Sequence, residues 1–285
     1  RVPRMPELPE VESVRRQLAP RLADRVVERT WFDDHPAHRF HDIGDLVGRR
    51  VDAVQRRGKF LVCPLVPVAA MAPRRPDRDD LLLVLHLGMT GSLAFVAADA
   101  TPHPHVRMQA WLDDGRRMDF RDPRRFGRVS VVAPEDVATT VPTLAVLGPE
   151  PLSDDFTVAD FAAALAATSS PVKAVLLAQK AVAGVGNIYA DEALWRARIH
   201  PGSRRVGRAR AARLHAAIRE VLAESIEREG TTFRDYQMVN GESGRNADFL
   251  DAYGQEGLPC VRCGTPMRKV VMAQRGTTYC PQCQH

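Results

Sequence analysis

Along the first 135 residues the apolar positions fall in short blocks and alternations, and from about residue 156 they recur at helical spacing. "LLLVLHLGM" (81–89) reads as a buried strand, "VRMQAWLDDGRRMDFRD" (106–122) as two strands about a turn at Asp114-Gly115, and "RVSVVAP" (128–134) as another. One early helix fits "PEVESVRRQLAPRL" (9–22). "CPLVPVAAMAPRRPDRDD" (63–80) carries four prolines and no period, so it reads as a loop. Residues 134–155 are proline-rich and read as a linker. Beyond it Thr157 with Asp160 caps "VADFAAALAAT", and Ser170-Pro171 supplies an N-cap with proline in the first helical position for "VKAVLLAQ". Leu214, Ile218, Val221, Leu222 and Ser225 share one face of a helix over about 209–228. Between these helices lies "AGVGNIYADEALWRARIHP", where Gly184 and Gly186 permit close backbone approach. Exposed amides beside a helix N-terminus there would suit a phosphate.

Charge and cysteines narrow the class. The 285 residues carry 40 basic and 35 acidic side chains, a formal charge of +5, so clustering matters more than the total. From Arg196 to Arg213 there are seven arginines, one histidine and no acid, which fits a solvated face or a phosphate-binding surface. No apolar run reaches the roughly 18 residues of a membrane span, and a soluble intracellular protein is expected. Four of the five cysteines form two C-x2-C pairs, Cys260 with Cys263 and Cys280 with Cys283. That spacing suits tetrahedral thiolate coordination of one structural Zn²⁺, with disulfides or a redox pair as the alternatives. "RKVVMAQRGTTYC" would supply two strands around a turn at Arg275-Gly276. Cys63, in "KFLVCPL", reads as a core residue.

The N-terminal stretch "RVPRMPELPE" is the least ordinary. Pro6 and Pro9 fix φ and remove two amide donors, so residues 6–10 are not expected to form an ordinary helical turn. Residues 1–5 read as a leader, or as a remnant ahead of a true initiator at Met5. In the second case the chain proper begins with the secondary amine of Pro6 beside the carboxylate of Glu7.

"MPELPEVESVRRQL", "RRGKFL", "HLGMTG", "RDPRRFG", "LGPEPL", "GVGNIYADEALW", "AYGQEGLPC" and the paired cysteines occur in the order seen in bacterial formamidopyrimidine-DNA glycosylases. The resemblance runs from Met5 to Gln284. It implies an α+β multidomain fold: an N-terminal β-sandwich over 6–135, a linker over 136–155, a helix–two-turn–helix domain over 156–255 and a zinc finger over 256–285. It also implies excision of oxidised purines from double-stranded DNA, followed by cleavage at the abasic site, by a monomer in the bacterial cytoplasm. By resemblance Pro6 is the nucleophile and Glu7 the general acid–base, with Glu10 orienting the terminus. Lys59 is the hairpin lysine that approaches phosphate and lesion. Met89, Arg124 and Phe126 fill the gap left by the everted nucleotide; Asn187 and Arg275 clamp phosphate, and Lys173 is a further DNA contact. Cys260, Cys263, Cys280 and Cys283 hold zinc. "RNADFLD" (245–251) is more polar than the family's lesion-capping loop, and Thr90 follows the wedge methionine with no evident role. Two alternatives stay open: an endonuclease VIII-like enzyme for oxidised pyrimidines, and a non-catalytic DNA-binding protein whose Pro6 is blocked.

Overall fold

The computed structural model of the chain describes residues 5–68, 80–232 and 238–285. The leader residues 1–4 and most of the proline-rich stretch, 69–79, lie outside them. Two compact units form. The first comprises Arg1–Pro6, Glu10–Ala145 and Thr231–Gly244 as far as they are described, and the second Glu7–Pro9, Val146–Gly230 and Arg245–His285.

Helix α1 spans Leu8–Leu22 and places Val11, Val14, Leu18 and Leu22 in the core of the first unit. The expectation that residues 6–10 avoid a helical turn fails at Leu8–Glu10. The first amides of a helix have no intrahelical acceptor, so Pro9 in the first turn forfeits no bond. Ten strands follow among the described residues: β1 (Val27–Phe32), β2 (Phe40–His41), β3 (Arg49–Val51), β4 (Gln55–Arg57), β5 (Phe60–Pro67), β6 (Leu81–His86), β7 (Ser92–Ala97), β8 (Val106–Leu112), β9 (Arg116–Arg121) and β10 (Arg128–Val132). They make one sheet in the order β1-β8-β9-β7 and a second in the order β2-β10-β6-β5-β3, with β4 paired to β5. Met108, Met118 and Phe120 of the first sheet share a core with Leu61, Leu83, Leu85 and Val129 of the second, which is the expected sandwich. Cys63–Pro67, expected in a loop, instead continue β5. Pro64 lies opposite Leu82 in that strand, its carbonyl accepting from Asp52 N (2.9 Å). Two single turns, α2 (Val137–Thr140) and α3 (Pro142–Ala145), occupy the stretch expected as linker. Thr231–Gly244, within the span expected for the helical domain, clusters with the first unit, where Met238 joins the apolar core.

The second unit holds α4 (Val158–Ala166), α5 (Val172–Leu177), α6 (Asn187–Arg196) and α7 (Arg208–Glu227). Thr157 caps α4 as expected, its hydroxyl accepting from Asp160 N at 3.1 Å. Pro171 rather than Ser170 is the cap of α5, a one-residue shift. Leu214, Ile218, Val221, Leu222 and Ser225 of α7 are buried, as their spacing requires. The ribbon pairs β11 (Arg268–Met272) with β12 (Arg275–Tyr279). Its turn is Ala273-Gln274, both left-handed (φ 47° and 58°), and not Arg275-Gly276. Gly276 lies within β12 opposite Val271, with the Lys269 side chain over its face.

Candidate active site and nucleic-acid interface

In the first unit strand register assembles the site. Phe60, His86 and Arg128 lie abreast on adjacent strands β5, β6 and β10. The Gly58-Lys59 turn, the Gly88–Thr90 turn and the Asp122–Gly127 loop therefore emerge at one end of the sheet. The last two touch through their backbones: a Cβ on Gly88 (φ 65°) would lie 2.5 Å from Gly127 N, so only glycine fits. Asp122, almost fully buried, accepts from Gly127 N (2.6 Å), Arg124 N (3.2 Å) and the Thr90 hydroxyl. Thr90 thus ties the Met89 turn to the loop bearing Arg124 and Phe126. Phe126 is 40 % exposed with the Arg124 guanidinium 5.1 Å from its ring centroid. Arg39 approaches the same ring at 5.9 Å and donates to Phe126 O (3.3 Å). Met89 is half-buried beside them in sequence.

Lys59 is buried although it sits in the tight turn joining β4 to β5. Its neighbour in field is His86, which sequence reasoning missed. Burial, with Lys59, Arg128 and Arg39 adding repulsion, pushes the His86 imidazole down to about 4. The neutral ring accepts from Gly88 N (3.1 Å), holding the turn that presents Met89. Within "HLGMTG" the signal was available: a histidine two residues before a glycine can receive its amide.

At the N-terminal segment Pro6 is buried, and Glu10 accepts from Thr231 N at 2.6 Å. Glu7, 3 % exposed, belongs to the second unit. Its carboxylate accepts from Gly186 N (2.8 Å), Ile188 N (2.8 Å) and Tyr189 N (3.3 Å), so it occupies the N-terminus of α6. Negative charge is favoured there by the helix dipole and the unsatisfied amides. This overturns the phosphate reading of those amides, whose donors are taken by the chain itself. Gly184 serves the same purpose: its φ is 78°, and a Cβ would lie 2.5 Å from Leu8 Cδ1. Leu8 N in turn donates to Gly184 O (3.2 Å).

The remaining expected DNA contacts meet at Gly276. Asn187 Nδ2 donates to Gly276 O (3.0 Å), while its Oδ1 is buried with no partner among the described residues. Lys173, expected as a further DNA contact, is fully buried. Its ammonium donates to Asp191 Oδ1 (2.6 Å), Thr277 Oγ1 (2.8 Å) and Gly276 O (3.3 Å). Asp191 also accepts from Thr278 N (2.9 Å), so one buried ion pair fastens β12 to α5 and α6. Arg275, exposed at the start of β12, is the residue this lock presents.

Cys260, Cys263, Cys280 and Cys283 bring their sulfurs within 4.8 Å of one another. Four thiolates at about 2.3 Å from a tetrahedral Zn²⁺ require such mutual distances. Gly264 (φ 73°) turns the first knuckle, with its amide and that of Cys263 bonded to Cys260 O (2.8 and 3.2 Å). The set fits one structural zinc, four protein ligands leaving no position for water. Cys63 is buried in the sandwich and its thiol is pushed up to about 12 by that burial, so it is an inert core residue.

A sandwich, paired helices opening at a capped glycine turn, and a four-cysteine ribbon define a zinc-finger protein of the helix–two-turn–helix class. Family models agree part by part: the formamidopyrimidine-DNA glycosylase N-terminal domain matches residues 5–129, the H2TH domain of that family residues 147–237, and the zinc finger found in FPG and IleRS residues 257–285. The formamidopyrimidine-DNA glycosylase of Deinococcus radiodurans is 47 % identical over 98 % of this chain and 97 % of its own, and that of Herpetosiphon aurantiacus 45 % over 98 % and 100 %. The crystal structure of the MutM (Fpg) protein from Thermus thermophilus superposes with a TM-score of 0.86 at 43 % identity, covering 98 % of each chain. Lactococcus lactis Fpg bound to DNA containing an abasic site superposes with a TM-score of 0.82 at 30 % identity, covering 98 % and 99 %. A MutM complex with DNA containing carbocyclic 8-oxo-G gives 0.83 at 30 %, covering 98 % and 100 %. This chain belongs to the formamidopyrimidine-DNA glycosylase family.

Proposed function

We propose that the chain is a bifunctional DNA glycosylase that excises oxidised purines, 8-oxoguanine and formamidopyrimidines, and then cleaves the strand at the abasic site. The reaction starts at Pro6. A terminal secondary amine has a reference pKa of about 7.7–8.0 for its class, against about 10.4 for lysine, so an unprotonated fraction is available near neutrality. Its lone pair attacks the sugar C1′ as the base departs. Proton transfer through Glu7 assists opening of the deoxyribose ring, leaving an iminium between Pro6 and C1′. The iminium acidifies the C2′ protons, and successive eliminations expel the 3′ and then the 5′ phosphate before water releases the sugar fragment. The observation that carries this reading is the Glu7 carboxylate, directly after Pro6 in the chain, fixed by three amide donors.

Met89, Arg124 and Phe126 are proposed to enter the base stack when the damaged nucleotide is extruded. A methionine turn and a phenylalanine loop tied through Thr90 and Asp122 form a wedge whose two halves move together. Lys59 with His86, and Asn187 with Arg275, are proposed to hold phosphates flanking the lesion. Zinc keeps the ribbon folded and supplies no step of the chemistry. No helix among the described residues is long and apolar enough to cross a membrane, and the proposed setting is the bacterial cytoplasm, on duplex DNA, as a monomer. Incision of duplexes carrying 8-oxoguanine, an oxidised pyrimidine or no lesion tests the substrate. Preferential nicking at the first supports the proposal; preference for the pyrimidine moves the chain to the endonuclease VIII-like alternative.

A further inference from the structure

The chain's surplus of positive charge lies in a place the mechanism does not use. No acidic residue occurs between Glu192 and Glu220, and residues 196–219 hold eight of the 40 basic side chains, leaving 32 against 35 acidic elsewhere. Arg198, Arg204, Arg205, Arg208 and Arg213 are exposed. Of the eight, only Arg196 is ion-paired among the described residues, to Glu224 (2.6 Å) and Glu220 (3.7 Å).

Two arginines of α7 are tied back to the basic run before that helix. Arg210 donates to Arg205 O (3.2 Å) and Ser203 Oγ (3.0 Å), and Arg213 to Ala197 O (3.4 Å). Arg262 of the ribbon, donating to Trp195 O (2.6 Å) and Arg196 O (3.3 Å), extends it. Arg208 stands in the first turn of α7, where a cation opposes the helix dipole. Arginines without an acidic partner, one of them set against its own helix dipole, are relieved by an anion. No large apolar side chain is exposed within 196–219, so the anchors a protein partner would use are missing. Guanidinium groups suit a sugar–phosphate backbone and read no bases, and the aromatic ring under one of them, Trp195 beneath Arg262 (3.6 Å), is itself buried. The surface is also distinct from Asn187, which opens α6, whereas Arg196 closes it, about 15 Å away for ten residues.

We propose that this arginine surface is a second, sequence-independent seat for duplex DNA, holding undamaged backbone away from the lesion. The proposal rests on the glycosylase reading only in taking DNA as the partner. The test combines Arg204→Gln, Arg205→Gln, Arg208→Gln and Arg213→Gln in the zinc-loaded chain trimmed to begin at Pro6, the form expected to incise. Affinity for an undamaged duplex is measured across salt concentrations, together with the single-turnover incision rate at saturating enzyme on a lesion duplex. Four lost phosphate contacts should make the log–log salt slope shallower by about three to four units, with the saturated incision rate within about twofold of the parent. Arg205→Gln with Arg208→Gln alone should give about half that change, which guards against a fold defect in the fourfold variant. An unchanged slope overturns the proposal, and so does a saturated rate that falls in parallel, since the arginines would then serve the lesion site. If the parent incises nothing, the glycosylase reading fails while the slope comparison still decides this one.

Discussion

Removing the Lys173 ammonium while keeping its length, as Lys173→Met, isolates the buried lock beneath the Arg275 hairpin. Three acceptors lose the ammonium at once, Asp191 Oδ1, Thr277 Oγ1 and Gly276 O, of which Gly276 O keeps Asn187 Nδ2. Asp191, 1 % exposed, would keep only the Thr278 amide, on its other oxygen. Breaking a buried pair from one side costs about 3–5 kcal/mol, because the surviving charge is left uncompensated. For a body of roughly one to two hundred residues that lowers Tm by about 10 °C. Calorimetry of the zinc-loaded chain should show the loss in one transition. Adding Asp191→Leu should recover most of it, since replacing both partners by apolar groups is often nearly neutral. The double variant would still bind DNA more weakly, with Gly276 O held by Asn187 alone. A Lys173→Met chain within about 0.5 kcal/mol of the parent, or one equally stable with a shallower salt slope for DNA, would refute the argument. The latter result would restore Lys173 as a direct phosphate contact.

Other consequences follow from the same geometry. Metal analysis should find one zinc per chain, and Cys263→Ser should release it and weaken DNA binding while the sandwich, with its own core, stays folded. Met89→Ala should slow excision from duplexes, because unstacking a base costs a few kcal/mol, and should affect cleavage of a preformed abasic site less; equal losses would indicate a fold defect. His86 is held at about 4 in the folded chain against about 6.5 unfolded, so the unfolded state binds more protons between these values. Stability should therefore be full above about pH 6.5 and fall by about 3 kcal/mol as pH drops through 4. His86→Asn, which keeps an acceptor for Gly88 N, should flatten that part of the stability profile in urea titrations.

What the sequence made legible was what local chemistry alone determines. Alternation identified β8 and β9, the spacing of Leu214 to Ser225 gave the buried face of α7, and paired cysteines gave the ribbon and its metal. Long-range partners were not legible. The G-x-G-N turn displays free amides to a reader of the sequence, yet Glu7, far earlier in the chain, fills them. Lys173 was expected at DNA only by resemblance, and its partners Asp191 and Thr277 come from two other elements. Gly276 suggested a turn, but the glycine is needed in the strand, where its carbonyl receives Lys173 and Asn187. Pro64 and Pro67 argued for a loop although their positions in β5 tolerate a missing donor. The proposed wedge rests on resemblance: alone, Met89 and Phe126 have the composition of core residues.

The proposed reaction depends most on Pro6 as the attacking amine. In an amide-linked proline the nitrogen lone pair is delocalised, so a chain retaining residues 1–5 should bind lesion DNA and form no iminium. A chain beginning at Pro6 should do both. Borohydride reduction during turnover of an 8-oxoguanine duplex, followed by peptide mapping, reads this directly. The expected result is a covalent adduct on Pro6 in the trimmed chain alone, with Glu7→Gln suppressing it while leaving binding nearly intact. An adduct of equal yield in the untrimmed chain, or one that maps to Lys59, would contradict the mechanism.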